Sequence, residues 1–194
     1  EKEQWLGVDI SQPDSILVRL WDELAQEYVV TRINSQSEQN ILYRSKLMFS
    51  DFGVDDQGQP LYLQSYSQAA DNKGEEYIYD ISEQQKKLIW QCEWDDPCEI
   101  HDYNKAKQKI LMASNRQRNL TELIWLDLAT GQSTSLHEDP NKSADLVRSH
   151  FVANQTTNQV SPIIVSYQGD YFRHYGINAD AQRHIDVIHQ RFPQ

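Results

Sequence analysis

The densest cluster of chemically competent side chains falls within ten positions, where Cys92, Asp95, Asp96, Cys98 and His101 follow one another. Two thiolates, an imidazole and a carboxylate could complete a tetrahedral zinc shell. The spacing matches no common zinc pattern, so cysteines buried or carried on a loop are the favoured reading. Two cysteines are too few for a disulfide framework, although one local bridge across a short loop is open to them. Nucleophilic catalysis would require a serine on a strained elbow, Gly-X-Ser-X-Gly. The seven glycines provide no such match; Gly131-Gln132-Ser133-Thr134-Ser135 comes nearest and reads as a hairpin turn after Thr130. There is no Gly-rich phosphate loop either.

The remaining candidates have structural readings that outweigh the chemical ones. The acidic pairs Asp55-Asp56 and Asp95-Asp96 could share a proton or hold calcium. Asp55-Asp56-Gln57-Gly58 reads instead as a loop entering a strand, with Gly58 supplying the turn, and Asp95-Asp96 as a loop before Pro97. His184 and His189 are five apart on an expected helix and point to different faces. His137, His150 and His174 fall on separate repeats. Trp21, Tyr62, Tyr77, Tyr79, Trp90 and Trp125 all lie on expected strands, where aromatic rings pack between sheets more often than they stack on sugars. The expectation is a chain with no catalytic, cofactor-binding or metal-ligating residue of its own, and no cofactor.

The elements that carry these residues repeat. Apolar strands are expected at Ile16–Trp21, Pro60–Ser65, Lys109–Ser114 and Pro162–Tyr167. From Ile16 to Leu61, Leu61 to Ile110 and Ile110 to Ile163 the separations are 45, 49 and 53 positions, near the period of propeller blades. Each of the first three is followed by a hairpin: Glu27–Ile33 to Ile41–Tyr43, Glu76–Ile81 to Lys87–Trp90, and Glu122–Leu128 to Ser135–His137. The apolar strands read as covered on both faces, the hairpin strands as outer ones with a face in water. Such sheets bury their faces by stacking, so the expected fold class is all-β, a partial β-propeller of about three to four antiparallel blades. A two-sheet sandwich gives no reason for a whole unit to recur at near-constant spacing.

The fourth unit departs from this pattern. After Tyr171–Ile177, Asn178 is a good N-cap for a single amphipathic helix running to about Arg191. Ile185, Ile188 and Phe192 fall on one apolar face, and Pro193 marks the stop.

Composition narrows the partners. The net charge of −11 and pI near 4.9 disfavour phosphate backbones and anionic membrane surfaces, so neither nucleic acid nor membrane is expected as a partner. Hydrophobic residues make up 39% and aromatic residues 10%, enough for a folded core despite a mean hydropathy of −0.72. No apolar run approaches the ~20 residues of a membrane helix. The start, Glu1-Lys2-Glu3-Gln4-Trp5, lacks a basic and apolar leader, and the chain reads as one piece of a longer protein, residues 1–194 forming a single propeller region. The compartment is not legible from these ends.

Two segments resemble a known family. The run Trp125-Leu126-Asp127-Leu128-Ala129-Thr130-Gly131-Gln132, followed by His137-Glu138-Asp139-Pro140, resembles blade hairpins of prolyl oligopeptidase-family serine peptidases. Asp145-Leu146-Val147, Phe151, Val165–Asp170, Tyr175 and a helix closing on Phe192-Pro193 resemble the propeller of the acylaminoacyl-peptidase-like branch. The resemblance implies a non-catalytic propeller that caps a C-terminal α/β-hydrolase domain, admits short peptides and leaves the Ser, Asp and His to that domain. The hydrolase domain is absent from this chain, so the chain alone is expected to have no peptidase activity. An open fragment with exposed strand edges is also expected to self-associate. The rival reading is a binding or scaffold propeller of the TolB or WD type with no enzyme attached.

Overall fold

The computed structural model describes residues 3–9, 11–55, 57–68, 74–83, 86–93, 95–104, 108–116, 118–154 and 159–192. These form four antiparallel sheets and one helix. The chain divides into two compact units, Glu1–Trp94 with Leu128–Gly131, and Asp95–Asp127 with Gln132–Gln194. Among the described residues no helix is long and apolar enough to cross a membrane.

The first unit holds two four-stranded meanders. One is β1 (Glu3–Val8), β2 (Ser15–Asp22), β3 (Glu27–Asn34) and β4 (Gln39–Ser45); the other is β5 (Phe49–Val54), β6 (Pro60–Gln68), β7 (Gly74–Asp80) and β8 (Lys87–Cys92). Their shared core is Leu17, Val30, Phe49, Phe52, Val54, Leu63 and Ile81. These residues belong chiefly to strands of β-branched and aromatic composition, which suits a pleated surface buried on one face. Arg19 is buried with them, its guanidinium over the rings of Tyr28 and Phe49 and donating to the Phe49 carbonyl.

The second unit holds β9 (Glu99–Asn104), β10 (Lys109–Ser114), β11 (Glu122–Asp127) and β12 (Ser133–His137) in one meander. A three-stranded sheet follows: β13 (Asp145–Asn154), β14 (Gln159–Gln168) and β15 (Phe172–Gly176). Leu111, Ala113, Leu123, Ala144, Leu146, Val165 and Tyr167 form their core. In place of a fourth strand comes α1 (Ala179–Arg191), capped by the Asn178 side chain, which accepts from the Ala181 amide at 2.9 Å.

The structure refines the sequence reading in three places. The apolar strands are the second strands of their sheets, because β1, β5, β9 and β13 precede them; those four have mixed compositions without a continuous apolar run. Burial on both faces holds for β10, whereas β2 alternates, burying Ser15, Leu17 and Arg19 and exposing Ile16. On α1 only Ile185 is buried; Ile188 and Phe192 are 52% and 72% exposed, so the expected apolar face is narrower than its periodicity suggested. Pro193 and Asp56 lie outside the described residues.

Aspartates shape the loops. Asp9 follows β1 and accepts from the Ser11 amide at 2.8 Å and the Ser11 hydroxyl at 2.6 Å; Asp55 follows β5 and accepts from the Gln57 and Gln59 amides, both at 2.8 Å. Such side chains mimic a backbone turn and close the first loop of a blade. The tripeptides Gly7-Val8-Asp9 and Gly53-Val54-Asp55 stand 46 positions apart, a repeat signal inside the strands that composition alone hides.

Candidate functional site

In the second unit the loop between β10 and β11 and the loop between β12 and β13 meet. Their meeting begins with backbone pairing: the Leu146 amide donates to the Thr121 carbonyl at 3.0 Å, and the Thr121 amide donates to the Asp145 carboxylate at 2.8 Å. Between them lies a cavity of about 200 Å³ lined by Arg118, Asn119, Leu120, Thr121, Glu122, Glu138, Asp139 and Lys142.

One wall is held by Asp139, whose side chain is fully buried. Its Oδ1 accepts from the Asn141 amide at 3.3 Å and the Tyr175 hydroxyl at 3.2 Å. Its Oδ2 accepts from the Ser143 amide at 3.0 Å, the Ser143 hydroxyl at 3.3 Å and Arg173 Nη1 at 3.3 Å. Burial alone would raise this carboxyl, but the Ser143 and Asn141 amides and the Tyr175 and Ser143 hydroxyls outweigh it and hold it below the ordinary carboxylate range. Every lone-pair direction is occupied, so Asp139 fixes the wall rather than offering itself to a ligand.

Next to it stand three rings. Tyr167 donates to the His137 carbonyl at 3.0 Å, and His137 Nδ1 lies 2.9 Å from the same hydroxyl. With the tyrosine proton directed to the carbonyl, the neutral imidazole carries its own proton on Nδ1. His137 and Tyr175 pack with ring centroids 5.7 Å apart, and Tyr167 and Tyr175 at 5.9 Å. Burial lowers the His137 pKa against the nearby Asp139 and Glu138, and raises that of Tyr167 together with the charges of Glu122, Asp139 and Glu138. A neutral histidine and a neutral tyrosine thus brace the site without a proton to exchange near pH 7.

The open side carries the charges. Glu122 begins β11 and is 8% exposed; its Oε1 is 3.4 Å from Arg118 Nε, while Oε2 is buried without a hydrogen-bond partner. Glu138 Oε1 is 3.6 Å from Lys142 Nζ on the outer rim. Sequence reasoning placed Glu122 only as the start of a hairpin strand and Asp139 only within a resemblance. A charged residue opening a strand that is otherwise apolar, Glu122-Leu123-Ile124-Trp125-Leu126, was the available signal.

The other expected sites resolve as follows. Both cysteines are disulfide-bonded, so neither supplies the thiolate that zinc requires. His101 packs on Phe151 with centroids 5.9 Å apart, and burial lowers its pKa. Ser133 opens β12 after the turn in which Gly131 takes φ +70° and the Asp127 amide donates to the Gln132 carbonyl, as the hairpin reading required. Asp96 is a loop residue that accepts from the Ser114 hydroxyl at 2.9 Å and the Asn115 amide at 3.1 Å. Tyr62 and Trp90 are buried, and Trp21 packs edge-on against Tyr28. His184 and His189 both lie on α1. A serine–histidine contact absent from the sequence reading does occur: Ser166 Oγ lies 2.8 Å from His174 Nδ1, across the β14–β15 pair. Ser166 is 2% exposed and cannot meet a substrate, so the contact is a cross-strand brace.

No family model matches the sequence, and no curated protein matches it. Among solved structures, TolB from Acinetobacter baumannii is similar at 12% identity and a TM-score of 0.52, over 91% of this chain and 42% of that one. An uncharacterized protein from Listeria monocytogenes is similar at 10% identity and a TM-score of 0.46, over 90% of this chain and 63% of that one. This chain therefore spans less than half the length of the TolB chain. Nothing in these likenesses points to a prolyl oligopeptidase-family peptidase. The likeness to TolB, a β-propeller-like protein, shows the fold: an all-β, propeller-like chain of antiparallel sheets ending in one helix.

Proposed function

We propose that this chain is a binding module of the propeller-scaffold type, which presents the loop end of its second unit to a polypeptide partner and performs no chemistry there. The observation that carries this reading is the cavity beside Asp139. Its wall is pre-organised by five hydrogen bonds to one buried carboxylate, and rigid support of that kind is what a recognition surface requires. The groups that could titrate usefully, His137 and Tyr167, are bonded to each other. Probing a peptide array with the purified chain tests the reading. Saturable binding to a discrete set of peptides, with every peptide recovered intact, is expected; a chain that binds none of them is not such a module.

A second reading keeps the peptidase resemblance, in which the chain is a propeller segment gating short peptides toward an α/β-hydrolase domain. The hairpin Trp125–Gln132 and the helix after Gly176 favour it. It predicts a Gly-X-Ser-X-Gly segment further along the same reading frame. A frame that closes without one removes this second reading and leaves the first intact.

A further inference from the structure

Glu122 brings to the cavity a buried carboxylate oxygen without a hydrogen-bond partner. Its side chain is nine-tenths buried, one oxygen faces Arg118, and the other has no donor. A buried acceptor left in this state is costly, and a charge-assisted hydrogen bond recovers the loss. The terminal torsion of a glutamate is broad and two-fold, so a small rotation offers either oxygen to a donor in the cavity while the other keeps Arg118.

We infer that this cavity receives one long basic side chain, an arginine or lysine of the partner polypeptide, with Glu122 as its buried acceptor and Glu138 at the rim. This assignment rests on the binding-module reading and deepens it. The cations at the cavity each stand beside a carboxylate already, Arg118 beside Glu122, Lys142 beside Glu138 and Arg173 beside Asp139. An anionic ligand would meet the unpartnered Glu122 oxygen and a chain charge of −11, whereas a cationic one is drawn in by both. A metal ion is the wrong ligand, because these three carboxylates do not converge into a metal-binding group. A volume of about 200 Å³ is below the roughly 300–1,000 Å³ of cavities that enclose whole small molecules, and it suits a single side chain.

The test is an NMR titration of the isotope-labelled full chain with three probes: Nα-acetyl-arginine amide, Nα-acetyl-lysine amide and the neutral Nα-acetyl-norleucine amide. Saturable shifts are expected for the first two at the amides of 118–122 and 138–142, weakening with added salt, and none for norleucine. In Glu122→Gln, with its spectrum otherwise unchanged, affinity is expected to fall about tenfold, as for loss of one charge-assisted hydrogen bond. Equal response to norleucine, no response to either basic probe, or full affinity in Glu122→Gln overturns the assignment. The comparison of probes on the unaltered chain stands even where the variant does not fold. Array peptides that bind without any Lys or Arg preference overturn this assignment alone, whereas an array with no binders overturns the module reading.

Discussion

Arg32 reaches from β3 to the buried carboxylate of Asp9, twenty-three positions earlier in the chain, and its Nη2 donates to the Gly58 carbonyl at 3.0 Å. One guanidinium thereby ties together the first loops of both sheets in the first unit. Those loops belong to the two copies of the Gly-Val-Asp repeat, so the repeat is welded at its own turns.

Removing that tie should be expensive. Arg32→Ala leaves the Asp9 charge buried and unpaired, and a loss of about 3–5 kcal/mol is expected from urea unfolding. Arg32→Lys should recover only part of this, because a single ammonium cannot reproduce the fork that serves Asp9 and Gly58 together. A loss under about 1 kcal/mol for the alanine variant, the range of an exposed pair, would show that the contact is solvated.

Gly58 is the residue that lets the fork approach. Its φ of +74° is left-handed, and a Cβ there would lie 2.2 Å from Arg32 Nη2 and 2.6 Å from Ser11 Oγ. Gly58→Ala is expected to cost roughly 1–3 kcal/mol from backbone strain, with a further loss as Arg32 is displaced. In an Arg32→Ala background that further loss should vanish, which a double-mutant cycle reads directly.

Stability should fall on acidification. Burial alone would raise the Asp9 carboxyl, but the Ser11 hydroxyl, Arg32 and the Ser11 amide hold it below its ordinary value of 3.8, and Asp139 is likewise held low. A folded pKa below the unfolded one contributes stability above the unfolded value, which is lost as pH falls through the folded value. The urea midpoint should therefore hold down to about pH 5 and decline below about pH 4. Asp9→Asn and Asp139→Asn should each flatten that decline. Asp51 has the opposite sign, since burial pushes its carboxyl up; its contribution is present at low pH and lost as pH rises through the raised value. Asp51→Asn should raise the midpoint at pH 7 and leave it unchanged near pH 3.

The helix cap is a local device. Asn178→Ala removes the acceptor for the Ala181 amide, and a loss of about 0.5–2 kcal/mol in α1 is expected. With Ile185 its only buried residue, α1 should open without the sheets. Amide exchange should accelerate across 179–191 alone; faster exchange in β14 as well would mean that the helix supports the sheet.

What was legible in the sequence is what local chemistry decides. Side-chain alternation and apolar runs marked β2, β6, β10 and β14 and the hairpins after the first three; a polar cap and helical spacing marked α1 to within a residue. Those signals act over a few positions, where the covalent chain itself fixes which groups meet. The first strands of the sheets escaped notice because sequences such as Phe49-Ser50-Asp51-Phe52-Gly53-Val54 become strands by pairing with a neighbour. The candidate site is of the same kind. Asp139 binds Arg173 and Tyr175, thirty-four and thirty-six positions away, and Glu122 lines a cavity whose other wall is a different loop. Sequence alone therefore determined the repeat and the absence of a recognisable catalytic motif. Only the tertiary structure decided which carboxylate is saturated and which still lacks a donor, because that depends on the groups that packing brings within hydrogen-bond reach.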